Sequence, residues 1–396
     1  MTGALSGLKV IDMSRYIAGP FCGQLLGDLG ADVVKVERID GGEEGRRVGE
    51  AIAGDTFFFL SANRNKRGLA VDFRDPESQA LLADLAARAD ILVENFRPGT
   101  LESMGMDWDS LHARNPRLIL VRITGFGQDG PLAQHPCFDG AAQAVSGLMS
   151  MTGQHDGPPT MSGVFVCDYT TALYATIAAL AAVRARDESG VGQVVEATLM
   201  DSGLALMTTA IPEYLVNGRL PPRLGNRDRY LAPSHCFCGR DGGWVYVVAG
   251  NDQHFHRFAA AMDLPGLAED ARFATFVARN ANIDALEVLI NEWAAGHDSE
   301  DILARLHEAD VPCEKVATIA DVVMNPQVIH RRQIVDVPHP VAGSVPFQAP
   351  ALKMWGTPTE IARGAPGLGE HSGDVLREWL GYSEADVRQL EEQGVI

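Results

Sequence analysis

The residue with the most chemistry to offer is Asp168, which stands between GVFVC and YTTALYATIAALAAV, immediately before the most apolar run in the chain. An acid at that place can cap a helix, accepting a hydrogen bond from an amide of the next turn for about 1 kcal/mol. The same helix N-terminus favours the ionised form, and a carboxylate held ionised near the interior can attack an acyl group. Both readings are open on the residues alone. Upstream, residues 146–163 (SGLMSMTGQHDGPPTMSG) are rich in glycine and turn formers. Such a loop either lets backbone approach a ligand closely or is a plain surface connection. Cations gather in SANRNKR, which brings Arg64, Lys66 and Arg67 together without an acid. Arg38, Arg74 and Arg97 fall at or beyond the C-terminal ends of expected strands or on neighbouring connections, the side on which open α/β sheets bind ligands. They are either local positive charge for a polyanion or solvated surface charge.

Other chemistries find no support. The turn SRYIAGPFCGQLLGDLG offers Gly19 and Gly23 but neither G-x-G-x-x-G nor G-x-x-x-x-G-K-[ST], which argues against nicotinamide and P-loop nucleotides. No metal site is expected: His254 and His256 diverge on a helix, and Cys236-x-Cys238 lacks zinc spacing. No G-x-S-x-G occurs, and no motif gives Cys167 or a serine a base partner. Thirty-three Lys and Arg against fifty-two Asp and Glu leave a charge of −19, unsuited to nucleic acid or an anionic membrane. The N-terminus has no basic and apolar leader pattern, and the uncharged apolar run 169–183 is shorter than the roughly twenty residues of a membrane span. It reads as a buried helix. Six scattered cysteines read as reduced thiols, so the expected compartment is the cytoplasm.

To position such residues the chain offers strand patterns at 8–13, 32–38, 90–96, 117–124 and 193–198, with helical spacing at 19–30 and 75–89. Alternation of this kind predicts a parallel sheet covered by helices on both faces. Beyond it, 218–233 is dense in Pro, Gly and Arg and reads as a crossing linker. One strand at 244–248 and helices at 253–262, 280–295 and 299–309 make 225–325 a smaller α+β domain. The tail from 326 reads as Pro-rich extended chain with one acidic helix, 384–393.

Taken in order, LKVIDMSRYIAGPFCGQLLGDLGADVVKVER, NRNKRGLAVD, ILVENFRPGTLESMG, ITGFGQDGP, SGLMSMTGQHDGPPTMSGVFVCDYT, GVGQVVEATLMDS and LGEHSGDVL resemble the class III coenzyme A transferases nearly end to end. That family also contains the 2-methylacyl-CoA racemases. The resemblance implies a large α/β, Rossmann-like CoA-binding domain (1–205 with 330–396), a linker (206–224), a small α+β domain (225–325) and an interlocked homodimer. It places Asp168 on the family's catalytic aspartate. The implied reaction passes CoA from an acyl-CoA to a free carboxylic acid through an aspartyl anhydride and an aspartyl-CoA thioester, with no metal or redox cofactor. CoA contacts are implied at Ile17, Ala18, Arg38, Val71, Asp72, Phe73, Arg74, Asn95, Phe96, Arg97, Pro136, Cys137, Phe138 and Asp139. A family arginine that meets CoA phosphate corresponds to Ser103, with Arg97 or Arg74 as its substitute.

Two rivals follow. A racemase needs a second proton carrier, a histidine in a G-H-D triplet, whereas the aligned triplet is Cys137-Phe138-Asp139, and phenylalanine moves no proton. A non-catalytic acyl-CoA-binding protein would have no use for Asp168. For the acceptor, LGNRDRYLAPSHCF stands where formyl-CoA:oxalate enzymes carry a glycine run. Arg227 and Arg229 there favour a bulkier or dicarboxylic acid, paired in a bidentate way, or else they cross a subunit interface.

Overall fold

The apolar runs pair side by side. In the computed structural model, which describes residues 3–396, β1 (Lys9–Asp12), β2 (Asp32–Arg38), β3 (Lys66–Val71), β4 (Ile91–Glu94), β5 (Ile119–Thr124) and β6 (Val194–Thr198) form one parallel sheet in the order β3-β2-β1-β4-β5-β6. Alternate residues enter two cores: Ile11, Leu92 and Leu120 join one, Val10, Val93 and Val121 the other. Both faces are therefore covered, as continuous apolar strands require. The chain runs outward from β1 to β2 and β3 and then returns to the other side of β1 with β4. That reversal opens a crevice at the C-terminal ends of β1 and β4, the usual ligand position in open α/β sheets.

β3 is the strand of this sheet that the sequence reading lacks; it also lacks Ser234–Cys238 and Cys313–Lys315 in the smaller domain and the hairpin of the tail. The KRGLAV of β3 is buried throughout, because the cations of residues 61–67 are neutralised inside the protein. Arg64 pairs with Asp28 at 2.6 Å, Lys66 with Asp12 at 2.7 Å, and Arg67 with Asp32 and Glu378. This run is not a polyanion site.

Helix α1 (Ala18–Asp28) follows β1, α2 (Pro76–Ala86) follows β3, and α3 (Asp139–Val145) and α4 (Val166–Ser189) lie between β5 and β6. α2 is capped as its sequence indicates, by Asp75 with proline in the first turn. α4 has 24 residues and would by length and composition suit a membrane. Its small-residue stripe, Ala172, Ala175, Ala179 and Ala182, is buried against α1, β5 and β6, while Leu173, Tyr174 and Ile177 are exposed on another face. The tail forms a hairpin (Ile334–His339 with Gly343–Gln348), returns along β3 through His371 N–H on the Gly68 carbonyl, and ends in helix Glu384–Gln393.

The chain divides into two units. One comprises residues up to Leu148, Ser162–Pro212 and Gln327–Ile396; the other Met149–Met161 and Glu213–Pro326. The latter holds an antiparallel sheet of β7 (Ser234–Cys238), β8 (Trp244–Val248) and β9 (Cys313–Lys315) in the order β9-β8-β7, packed around Phe237, Phe255, Phe258 and Ile290. Residues 149–161, placed in the large domain by the sequence reading, group with this smaller unit. The reason is local: Gly225 N–H donates to Gly153 O at 2.8 Å, and Arg223 Nη2 to Gly157 O at 2.7 Å. The stretch expected as linker, 206–224, contains the helix Ala210–Asn217.

Candidate active site

Three strand ends and one helix start build a cleft of about 290 Å³. The loop after β1 is fixed residue by residue. Asp12 accepts from Ser14 N–H and from the Ser14 hydroxyl; Asn95, beyond β4, accepts from Arg15 N–H at 2.8 Å and donates to its carbonyl at 2.7 Å; Glu43 accepts from Tyr16 N–H at 2.7 Å. Tyr16 is thereby held at φ 66°, a conformation non-glycine residues rarely adopt. The next turn is so tight that a Cβ on Gly19 would lie 2.1 Å from Cβ of Ser14. Beyond β5, a Cβ on Gly125 would lie 2.2 Å from that of Cys137, so glycine there lets residues 133–138 fold over the cleft.

Asp168 lines this cleft from the first turn of α4, together with Ile17, Ala18, Asn95, Phe96, Arg97, Pro136, Cys137 and Phe138. Eight of the expected CoA-contact residues thus share one opening with the expected nucleophile. Arg38 and Phe73 line a small adjoining pocket that shares Arg15 and Phe96 with it. The others stand apart from both pockets. Val71 is a core residue of β3, Asp72 accepts from Arg74 N–H, and the Arg74 side chain is 86% exposed. Ser103 donates to the Thr100 carbonyl on the exposed helix after β4.

Asp139 lies behind the cleft, 2% exposed, and holds the position that the sequence left open for Asp168. Its Oδ1 accepts from Cys167 N–H at 2.7 Å and Asp168 N–H at 3.1 Å, while Gln143 donates to its Oδ2 at 2.6 Å. Asp139 therefore caps α4 from outside, and Asp168 is not the cap. The free amides that would have favoured an ionised Asp168 are spent on its neighbour. Among the described residues no group donates to the Asp168 carboxylate. Burial, with the charge of Asp139 second, pushes Asp168 up to about 7. The Cys137 thiol is pushed up to about 11, by burial first and then by Asp168 and Asp139, so it offers little competing thiolate.

Arg15, Tyr16 and His135 also line the cleft and were not singled out in the sequence. Arg15 and Tyr16 lie directly after β1, in a turn inspected only for glycine fingerprints; their place at a strand's C-terminal end was the available signal. In the smaller unit, Arg227 is engaged by Glu287 at 2.6 Å and by Asp284 at 2.6 Å. Arg229 meets Glu213 at 2.9 Å through Nη2, and its Nε and Nη1 are buried without a partner. Among the described residues no cluster of three or more His, Cys, Asp or Glu could hold a metal ion.

Comparison with known proteins places these features in company. A family model described as CoA-transferase family III matches residues 5–372. Succinyl-CoA--D-citramalate CoA-transferase of Chloroflexus aurantiacus is 37% identical over 99% of this chain and 98% of its own. Human succinyl-CoA:glutarate CoA-transferase is 33% identical over 99% of this chain and 90% of its own. A crystal structure of a CAIB/BAIF family protein from Brucella suis superposes with a TM-score of 0.86 at 35% identity, covering 96% of this chain and all of the other.

Proposed function

The chain belongs to CoA-transferase family III, and on that premise we propose that it moves CoA from succinyl-CoA or a similar donor to a small dicarboxylic or hydroxy acid through Asp168. That it is a class III CoA-transferase follows from membership. The choice of acids is carried over from relatives whose named acceptors, citramalate and glutarate, have two carboxyl groups.

The observation that carries the reading is a half-buried carboxylate without a partner, on the wall of a cleft at the sheet's switch point. An Asp168 oxygen attacks the thioester carbonyl, the C–S bond breaks, and a mixed anhydride and CoA thiolate result. The thiolate attacks the Asp168 carboxyl carbon, expelling the donor acid and leaving an aspartyl-CoA thioester. The acceptor carboxylate attacks that carbon and releases thiolate, which takes the new acyl group and frees Asp168. Donor and product are both thioesters, so the overall exchange is nearly neutral in energy, with the anhydrides as transient high-energy intermediates. The remaining expected CoA contacts, including Asp72 and Arg74, belong to this proposal as sites for the nucleotide end.

Incubation with succinyl-CoA followed by hydroxylamine should yield a hydroxamate on the peptide carrying Asp168, and none in Asp168→Ala. A wild type that turns over without ever forming it would sink the covalent route. A racemase would instead exchange the α-proton of a 2-methylacyl-CoA with deuterated solvent, and no exchange is expected.

We also propose the interlocked homodimer. The exposed Leu173, Tyr174 and Ile177 on α4, and Leu215, Val216 and Leu220 in the smaller unit, are the apolar surface such a partner would cover. A folded monomer in sedimentation at nanomolar concentration would contradict it.

A further inference from the structure

Gln143 stands four residues after Asp139 in α3, so the two side chains share one face of the helix, and both are buried. The two ends of its amide have fixed identities. The Ser162 backbone N–H can only donate, and it reaches Gln143 Oε1 at 2.9 Å. The atom turned to Asp139 Oδ2 is therefore Nε2, which donates to it at 2.6 Å. The other oxygen of Asp139 is taken by the N–H groups of Cys167 and Asp168. All three partners of Asp139 are donors, and a proton on either of its oxygens would meet one of them head-on. A proton on Oδ2 could be accommodated only by turning the Gln143 amide over, and that would set two donors, Nε2 and the Ser162 N–H, against each other. Asp168 has the opposite surroundings: among the described residues nothing donates to its carboxylate, and it opens on the cleft. Of two adjacent acids, the one whose charged form is better hydrogen-bonded keeps the charge, and the other takes the proton.

We propose that Gln143 is a positioning residue of the reaction: anchored by the Ser162 amide, it keeps Asp139 a charged acceptor, so that Asp168 is the acid of the pair that exchanges protons and attacks the acyl group. The proposal rests on the reading of Asp168 as nucleophile given above. Gln143 does not line the cleft and acts through Asp139 alone. The fixed charge holds the ionised nucleophile at a higher energy than burial by itself would. That excess is released once Asp168 is acylated, because an anhydride or thioester carries no charge on that carboxyl. The other titratable groups around the pair are the thiols of Cys137 and Cys167, the Tyr169 phenol, the cleft residues Arg15, Tyr16, Arg97 and His135, and exposed Asp201 on the helix Leu199–Leu206 packed against α3. None of their side chains hydrogen-bonds either carboxylate, which leaves Gln143 as the one side-chain donor to the pair among the described residues.

Carboxyl NMR titration of protein labelled with carbon-13 aspartate, the two resonances assigned by Asp139→Asn and Asp168→Asn, tests it beside the pH profile of turnover from succinyl-CoA to glutarate. In wild type the Asp168 resonance should be the one of the pair that moves between about pH 5 and 8. In Gln143→Met, the Asp168 titration and the acid limb of turnover should both move toward acid by about half a unit to one unit. Turnover near pH 5.5 then rises about threefold to tenfold relative to its plateau. In an Asp139→Asn background Gln143→Met should add no shift, because no charge is left there to hold. A proton taken up by Asp139 in place of Asp168 over that range, or a Gln143→Met profile that loses height without moving, overturns the proposal. The wild-type titration keeps the test decisive should Gln143→Met fold poorly. An Asp168 resonance that shifts in Gln143→Met while the turnover limb stays would instead sink the nucleophile reading, and this proposal with it.

Discussion

Asp12 and Asp168 are carried by the same sheet-and-helix unit, both largely out of water, and they differ in their partners. Asp12, at the end of β1, faces Lys66 at 2.7 Å and takes both polar hydrogens of Ser14. Burial alone would raise its proton affinity, but Lys66, Lys35 and these hydrogen bonds outweigh it and hold the carboxyl below its usual range. Asp168, in the first turn of α4, has no cation and no donor, and faces Asp139. A buried charge whose valences are all met fixes geometry; one whose valences are unmet is poised to react. Asp12 secures the loop bearing Arg15 to Ile17, and Asp168 stands across the cleft that this loop lines.

Removing each acid should therefore fail differently. Asp168→Ala should lower turnover by about three orders of magnitude or more, since the proposed nucleophile would have no substitute, while its thermal midpoint stays at or above that of wild type. Asp12→Ala should leave Lys66 buried without its counter-charge and cost about 3–5 kcal/mol of stability, read as a shifted denaturation midpoint. If Asp168→Ala proves the less stable of the two, the contrast between the acids is wrong.

The pH dependence should have opposite signs. With its folded value about 7 against an unfolded value near 3.8, Asp168 remains protonated in the folded protein over a window in which the unfolded chain ionises. Its contribution thus becomes unfavourable as pH rises from about 4 to 7. Asp168→Asn should match wild-type stability near pH 4 and exceed it by on the order of 2–4 kcal/mol at pH 8. Asp12, with a lowered value, stabilises the fold above the unfolded carboxyl range and loses that contribution only as pH falls through its folded value. Turnover should follow the ionised fraction of Asp168, rising about tenfold per pH unit below 7 and levelling above it. A flat profile between pH 5 and 8 would show that another step or group sets the rate.

Asp139 is the residue through which that profile can be moved. The charged and titratable groups around Asp168 are Asp139, the thiols of Cys137 and Cys167, the phenol of Tyr169, and the cleft residues Arg15, Tyr16, Arg97 and His135. Asp139→Asn keeps an oxygen for the amides of Cys167 and Asp168 but removes the adjacent charge. The turnover profile should move toward acid by about one unit. An unmoved profile in a stable variant would leave burial as the only cause of the raised value.

How much of this was legible in the sequence follows from the same distinction. The strands of the large sheet announced themselves as apolar runs, and Asp168 by its place before an apolar helix. β3 did not, because KRGLAV begins with two cations whose partners, Asp12 and Asp32, lie 54 and 35 residues away in sequence. Long-range charge pairing leaves no local pattern. The cap of α4 was hidden likewise: Asp139 is 29 residues before Asp168, so local reading could offer only Asp168 as a candidate cap and left its role open. Residues 149–161 were misplaced because the bonds that tie them to 223–225, the Gly225 amide on the Gly153 carbonyl and the Arg223 guanidinium on the Gly157 carbonyl 66 residues away, leave no local pattern.

Arg227 and Arg229 repeat the comparison in the smaller unit, with the signs of charge reversed. In sequence they are equivalent, two arginines with one residue between them. In the structure, Arg227 spends Nε and Nη2 on Glu287 and Asp284, whereas Arg229 reaches Glu213 with Nη2 alone and leaves Nε and Nη1 buried and unpaired. A buried donor without a partner costs free energy that a ligand carboxylate can recover, so Arg229 is the better candidate for the acceptor's second carboxylate. Arg229→Met keeps most of the stem and removes the fork. It should raise KM for a dicarboxylic acceptor such as malate about tenfold, on the order of 1.4 kcal/mol, and leave a monocarboxylic acceptor nearly unchanged. Arg227→Met should lower stability by exposing Glu287 to burial without its partner, with KM altered equally for both acids. The reverse assignment, with the KM effect in Arg227→Met, would mean that occupied donors exchange partners when substrate arrives, and that unmet valence does not mark function in this part of the molecule.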